Sequence, residues 1–176
     1  MTHVMLDLET WGTAPNSMIR SIGAVVFEPL TGDFGAEFYV NIDDASQEAL
    51  GMQKDARTIA WWAEQSADAR AALEADQIVI TQALDLFTQW WEKADGEQVW
   101  GHGASFDPVL LEAAYRAAGE TAPWAFWNTR CCRTVLSLAD RRPDRAVGTH
   151  HNALDDAKAQ AVAIAAAFRA GRFDPA

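Results

Sequence analysis

The sequence predicts a mixed α/β protein, a sheet with helices on its faces, and three observations carry that reading. Alternating apolar segments fill the first 42 residues, Ala-rich amphipathic segments dominate the rest, and one short strand, Gln98 to Trp100, lies between the helices. That order suits a sheet covered by helices better than a helical bundle or a β-sandwich.

The elements follow in turn. Val4 to Thr10, Arg20 to Phe27 and Phe34 to Ile42 read as strands, and Thr31-Gly32-Asp33 is a turn signal that pairs the last two as an antiparallel hairpin. Ala56 to Gln65 and Ala67 to Leu73 are Ala-rich with few β-branched residues and read as helices. Leu84, Phe87 and Trp91 recur at helical spacing after Thr81, which is placed to cap that helix. The strand Gln98 to Trp100 ends in Gly101-His102-Gly103. A helix begins near Asp107-Pro108, because proline is favoured in a first helical turn, and it carries Val109, Leu110, Ala113 and Ala114 on one face. Arg133 to Ala139 is expected to be helical, and Leu154 to Arg169 forms a long Ala-rich helix stopped by Gly171.

Composition bounds the function. The chain has 176 residues, 49% of them hydrophobic and 22% charged, which suits a single domain with a real core and excludes wholesale disorder. The N-terminus has no basic region ahead of an apolar run, so no signal peptide is expected. The charge-free stretch from Ala159 to Phe168 is far shorter than the roughly 18 apolar residues of a membrane span. A cytoplasmic protein without a membrane partner is the expectation, and the adjacent Cys131 and Cys132 read as reduced thiols. A net charge of −11 excludes a protein that coats nucleic acid by charge alone, so any such binding must be local. Arg130, Arg133, Arg141, Arg142 and Arg145 concentrate basic charge in one stretch, as a solvated face or as a rim that guides a strand.

Three groups of residues can carry chemistry. Asp7 and Glu9 lie in the first strand, where alternation sends both carboxylates to one face and Leu6 and Leu8 to the other. Like charges there must be hydrated, protonated or neutralised by a cation. Spacing alone does not decide, since Asp95-Gly96-Glu97 repeats the pattern in a turn where both acids are expected to be solvated. Asp107 heads a helix, where an acid is also favoured as a cap or by the helix dipole. His150-His151-Asn152-Ala153-Leu154-Asp155-Asp156 leads into the last helix, where first-turn acids are common for the same reason.

In combination these motifs resemble the DEDDh family of 3′-to-5′ exonucleases: Asp7-Leu8-Glu9-Thr10 on the first strand, Phe106-Asp107 about a hundred residues on, and His151-x-Ala153-x-x-Asp156 at the last helix. The sequence is most similar to compact single-domain bacterial and phage members, through Trp11, Ile22-Gly23-Ala24-Val25 and Trp61-Trp62. The resemblance implies an RNase H-like fold and a single exonuclease domain over residues 1–176. It implies that Asp7, Glu9, Asp107 and Asp156 hold two divalent cations, Mg²⁺ or Mn²⁺, and that His151 is the general base. Hard oxygen ligands suit such ions, and a pair of them about 4 Å apart can stabilise the attacking and leaving oxygens of a phosphodiester displacement. An imidazole with a pKa near 6.5 can take the proton of the attacking water at neutral pH.

The family spacing selects Asp156 over Asp155 and His151 over His150. His102 stands where many relatives have Asn, which bears on substrate contacts alone. Thr10, Trp11 and Phe106 are candidate contacts to the terminal nucleotide, and Arg130 and Arg133 to phosphate. Trp61, Trp62, Trp90 and Trp91 are expected in the core or an interface. The expected substrate is the 3′ end of single-stranded RNA or DNA, cleaved to nucleoside 5′-monophosphates. A homodimer is open from relatives. Two alternatives stay open beside this one: a catalytically silent nucleic-acid-binding module, and a phosphodiesterase of small nucleotides.

Overall fold

The computed structural model describes residues 2–143 and 151–171. Among them, five strands form one sheet in the order β3-β2-β1-β4-β5, where β1 is His3–Thr10, β2 Ile19–Phe27, β3 Phe34–Asn41, β4 Gln98–Gly101 and β5 Thr129–Cys131. The first three strands form an antiparallel meander, whereas β4 runs parallel to β1 and β5 parallel to β4. The expected hairpin is present: Gly32 adopts φ +84°, its N–H donates to the Glu28 carbonyl, and the Glu28 N–H donates to the Asp33 carbonyl. Glycine takes that left-handed conformation without steric cost.

Helices cover both faces, and strand alternation sorts the side chains between them. Val4, Leu6 and Leu8 of β1 pack with Ile22 and Ala24 against helix α4 (Ile80–Lys93) through Leu84, Phe87 and Trp91, and against α5 (Asp107–Ala117) through Leu110 and Ala114. On the opposite face Met5, Val25 and Trp100 meet α6 (Cys132–Leu138) and the long α7 (Ala153–Gly171), which contributes Ala157, Ala161, Ile164 and Phe168. Asp7 and Glu9 continue the Met5 row. They therefore leave β1 on the α6–α7 face, beyond the point where the apolar layer ends.

Three short helices complete the described elements: α1 (Asp44–Glu48), α2 (Ala56–Ala63) and α3 (Ala67–Glu74). Asp55 caps α2 and Ser66 caps α3 through their side-chain oxygens. α4 departs from the sequence expectation, because it starts at Ile80 after Val79 and Thr81 does not cap it. Its first N–H is satisfied from a distance instead, by the Ser46 hydroxyl of α1 at 3.0 Å. Neither α1 nor β5 is expected from the sequence. Five and three residues are too short to display a period, and β5 exists only because β4 offers it a parallel edge.

One close approach places α7. Gly23 of β2 lies opposite Asp7 in the ladder, and a Cβ there would run into the backbone of Ala153 and Leu154, the first residues of the helix. Overpacking of this kind costs about 1–3 kcal/mol. Gly23→Ala is expected to lower unfolding stability by about that amount in denaturant titration.

Candidate active site

The parallel part of the sheet ends where β1 and β4 separate, and the site forms at their carboxyl ends, a place where side chains from several elements converge. The β1–β4 ladder runs only as far as Met5 opposite Trp100. Beyond it the Leu8 N–H donates to Asp107 Oδ1 at 3.3 Å, while Asp107 Oδ2 accepts the His102 N–H at 2.8 Å. Asp107 is 1% exposed. Its carboxylate thus ties the start of α5 to β1 and to the end of β4, a task quite different from capping its own helix.

Asp156 arrives on the first turn of α7. Asn152 is the cap: its Oδ1 accepts the N–H groups of Leu154 and Asp155 at 3.1 Å each, and its carbonyl accepts that of Asp156 at 2.9 Å. One residue earlier, His151 has φ +64°, a left-handed turn that swings its ring off the helix axis. Ligand atoms of Glu9, His151 and Asp156 all lie within 4.8 Å of one another. Asp155, the sequence neighbour of Asp156, acts through space on Tyr39, as Glu9 does.

A cleft of about 980 Å³ contains Asp7, Glu9, Asp107, His151 and Asp156, with Trp61, Phe106 and Arg133 among its walls. The structure therefore brings together all five residues of the expected catalytic set. The expected substrate contacts divide. Phe106 and Arg133 line the cleft, whereas Thr10 is buried and donates its hydroxyl to the Gly12 carbonyl. Trp11 is occupied elsewhere, with its indole N–H on Asp44 Oδ1 at 2.7 Å and the Arg20 guanidinium 4.0 Å over its ring. Arg130 folds back onto the carbonyls of Trp127 and Thr129. Arg141 and Arg142 do line the cleft; Arg145 and His150 lie outside the described residues. Asp95 and Glu97 are exposed in their turn, as expected.

Two residues of the cleft stand outside the candidate set read from the sequence. Gln160, one turn beyond Asp156, donates its amide N–H to Asp7 Oδ1 at 2.6 Å. Its helical spacing from Asp156 is the only trace it leaves in the sequence. Trp61, expected in a core or an interface, is 42% exposed and faces the cleft, while Trp62 beside it is buried.

The electrostatics show what the cluster lacks. Burial first, and then the neighbouring Asp107, Glu9 and Asp156, hold the Asp7 carboxyl well above the usual carboxylate range, against the opposing pull of Gln160. Burial and Asp156 push Glu9 up to about 8, with the Arg20 guanidinium offsetting part of the rise. Burial raises Asp107 to about 6, restrained by the N–H groups of His102 and Leu8. Among the described residues, none of these three acids forms an ion pair with a Lys or Arg. A desolvated set of hard oxygen donors that repel one another fits divalent cations, whose charge would favour the ionised forms.

The comparisons with known proteins agree with this geometry. Residues 2–168 match the family described as the 3′-5′ exoribonuclease Rv2179c-like domain. A search of curated proteins found no match. Among solved structures, the nuclease domain of 3′hExo, a DEDDh family member bound to rAMP, superposes with a TM-score of 0.62 at 14% identity, over 97% of this chain and 92% of that one. Exonuclease X in complex with 5′ overhanging duplex DNA gives 0.62 at 16% identity, over 98% and 94%. A 3′-exonuclease solved in 3′-end recognition of a histone mRNA stem-loop gives 0.60 at 13% identity, over 97% and 82%. The RNase H-like fold expected from the motifs is the fold observed, and the protein belongs to the Rv2179c-like family of 3′-5′ exoribonuclease domains, with the DEDDh exonucleases as its structural neighbours.

Proposed function

We propose that this 3′-to-5′ exonuclease removes nucleoside 5′-monophosphates from single-stranded 3′ ends, with RNA as the preferred substrate. The observation that carries the reading is the convergence of Asp7, Glu9, Asp107, Asp156 and His151 in one cleft, where burial and neighbouring acids raise the Asp7 and Glu9 carboxyls above the usual range. The family's description as exoribonucleases favours RNA. The acidic chain favours a short single-stranded end over long duplex, which needs a larger basic footprint. A cytoplasmic location accords with two free cysteines.

In this reading Asp7, Glu9, Asp107 and Asp156 hold two divalent cations, Mg²⁺ or Mn²⁺. Such ions supply positive charge that stabilises both the attacking and the leaving oxygen of the displacement. His151 accepts the proton of the attacking water on a ring nitrogen as the new P–O bond forms. The P–O3′ bond of the penultimate nucleotide breaks, releasing the terminal nucleoside 5′-monophosphate and leaving a 3′-hydroxyl. Asp107, fixed by the Leu8 and His102 amides, presents its carboxylate in one orientation. Gln160 does the same for Asp7. Arg133, Arg141 and Arg142 on the cleft wall meet phosphates upstream of the cut, and Phe106 offers an aromatic face to a base.

The direct test is a time course on 5′-labelled single-stranded RNA and DNA of equal sequence, with Mg²⁺, with Mn²⁺ and with EDTA. The expected result is a ladder that shortens from the 3′ end only with added cation, faster on RNA. Intact substrate alongside measurable cation binding would overturn the reading in favour of a phosphodiesterase of small nucleotides or a silent binding module.

The residue assignments have their own consequences. Asp7→Ala and Asp156→Ala should each abolish turnover while the circular dichroism of the fold is kept. His151→Ala should lower kcat by roughly 10²- to 10⁴-fold, the range for a lost general base, with divalent-cation binding retained in calorimetry.

The pH dependence of stability follows from the same acids. Glu9 moves from 4.5 in the unfolded chain to about 8 in the folded one, and Asp107 from 3.8 to about 6. Across that window the folded state holds protons that the unfolded state has released, so stability falls as pH rises. Thermal melts in EDTA are expected to show a lower Tm at about pH 8.5 than at about pH 5.5, values on either side of the two pKa values, with part of the difference removed by Glu9→Gln and, in EDTA-free buffer, by added divalent cation.

A further inference from the structure

We propose that Trp61 is a positioning residue for His151, so that helix α2 helps to orient the imidazole proposed above as the base. The His151 ring lies 4.9 Å from the Trp61 ring with an interplanar angle of 87°, and 5.6 Å from the Trp62 ring at 73°. Both are edge-to-face contacts, the arrangement that aromatic quadrupoles favour over parallel stacking. The two indoles are themselves edge-to-face, 4.9 Å apart at 76°. Three mutually inclined rings leave the imidazole little freedom about its side-chain torsions.

The clamp is tied to the strand that carries the acids. Trp62 is 2% exposed, and its indole N–H donates to the Thr10 carbonyl at 2.9 Å, next to Glu9 in β1. Behind it the buried Arg20 guanidinium sits 4.4 Å over the Trp62 ring and 4.0 Å over Trp11. Trp62 is thereby held against β1, while Trp61 meets the imidazole at the wall of the cleft.

His151 needs that support. Its backbone holds φ +64°, outside the helix that begins at Ala153, so regular secondary structure does not fix its direction. General-base catalysis is sensitive to placement, and a displacement of about 1 Å can cost 10²-fold in rate. A ring positioned by α2 is registered directly to β1, where Glu9 lies, across some 90 residues of sequence separation (about the spacing from Trp61 to His151) that local structure could not bridge.

Trp61 can be tested without threatening the fold, because it is 42% exposed. The experiment is a double-mutant cycle of Trp61→Ala and His151→Ala, with kcat and KM measured on a short RNA, single-turnover rates used for the slow variants, and cation binding followed by calorimetry. The expected result is a fall in kcat of roughly 10- to 100-fold for Trp61→Ala, with KM and cation affinity unchanged, and no further fall when His151 is already Ala. Trp61→Phe, which keeps a smaller aromatic ring, should restore most of the rate and Trp61→Leu, apolar but without a ring, should not.

Three results would overturn the proposal. The first is a rise in KM that persists in the His151→Ala background, which would make Trp61 a nucleobase contact. The second is a loss of cation affinity in Trp61→Ala, which would make it a support of the acids. The third is full rescue by Trp61→Leu, which would reduce the contact to space filling. The proposal rests on His151 being the base, and failure of that reading is separately visible: His151→Ala alone would then keep the wild-type kcat.

Discussion

Burial of several carboxylates in one cleft, with repulsion between neighbours added at Asp7 and Glu9, is the constraint on which the rest of the structure depends. Asp7, Glu9 and Asp107 are each raised above the usual range, with burial as the first cause in every case. No chain would gather such groups for stability, since removing a carboxylate from water costs several kcal/mol unless it is paired. The fold holds them with interactions that do not depend on neutralising them. Two backbone amides grip Asp107, the Gln160 amide grips Asp7, and Arg20 acts on Glu9 through space. The apolar layers on both faces of the sheet supply the stabilisation that offsets this arrangement.

The same constraint accounts for the architecture around the site. β1 is central in the sheet, so both of its edges are paired and its direction is fixed. The carboxylates leave it where β4 has ended and an amide is free to bind Asp107. Gly23 permits α7 to rest directly on β2, which brings Asp156 to Glu9 at a distance that any side chain at Gly23 would increase. Charge is divided in space as well. The chain carries −11 overall, yet Arg133, Arg141 and Arg142 border the acidic cleft, so cationic side chains stand where a polyanion would enter.

Much of the candidate site was legible before the fold was known, but only through the resemblance of three motifs in combination, since each motif alone also suits a solvated pair, a helix cap or a first-turn acid. The three are Asp7-x-Glu9, Phe106-Asp107 and His151-x-x-x-x-Asp156. The side chains expected to meet substrate divide between the cleft and other tasks. Phe106 and Arg133 reach the cleft, while Trp11 and Arg130 are consumed by Asp44, Arg20 and backbone carbonyls that no local pattern reveals. The tryptophan pair shows the same limit from the other side: spacing suggested buried aromatics, and Trp62 is one, but Trp61 turns to the cleft.

By itself, then, the sequence determined the fold class and the order of the long elements, because hydrophobic period and turn chemistry are properties of neighbouring residues, while the acids and histidine of the candidate site came from the resemblance of three motifs to the DEDDh family. Tertiary structure decided the rest: the start of α4 through Ser46, the existence of β5 on the edge of β4, the hold of Gln160 on Asp7 and of Trp61 and Trp62 on His151. Each of these joins groups far apart in the chain. Their formation depends on burial and on hydrogen-bonding groups that become available only after the sheet has assembled, and no local pattern of residues encodes that.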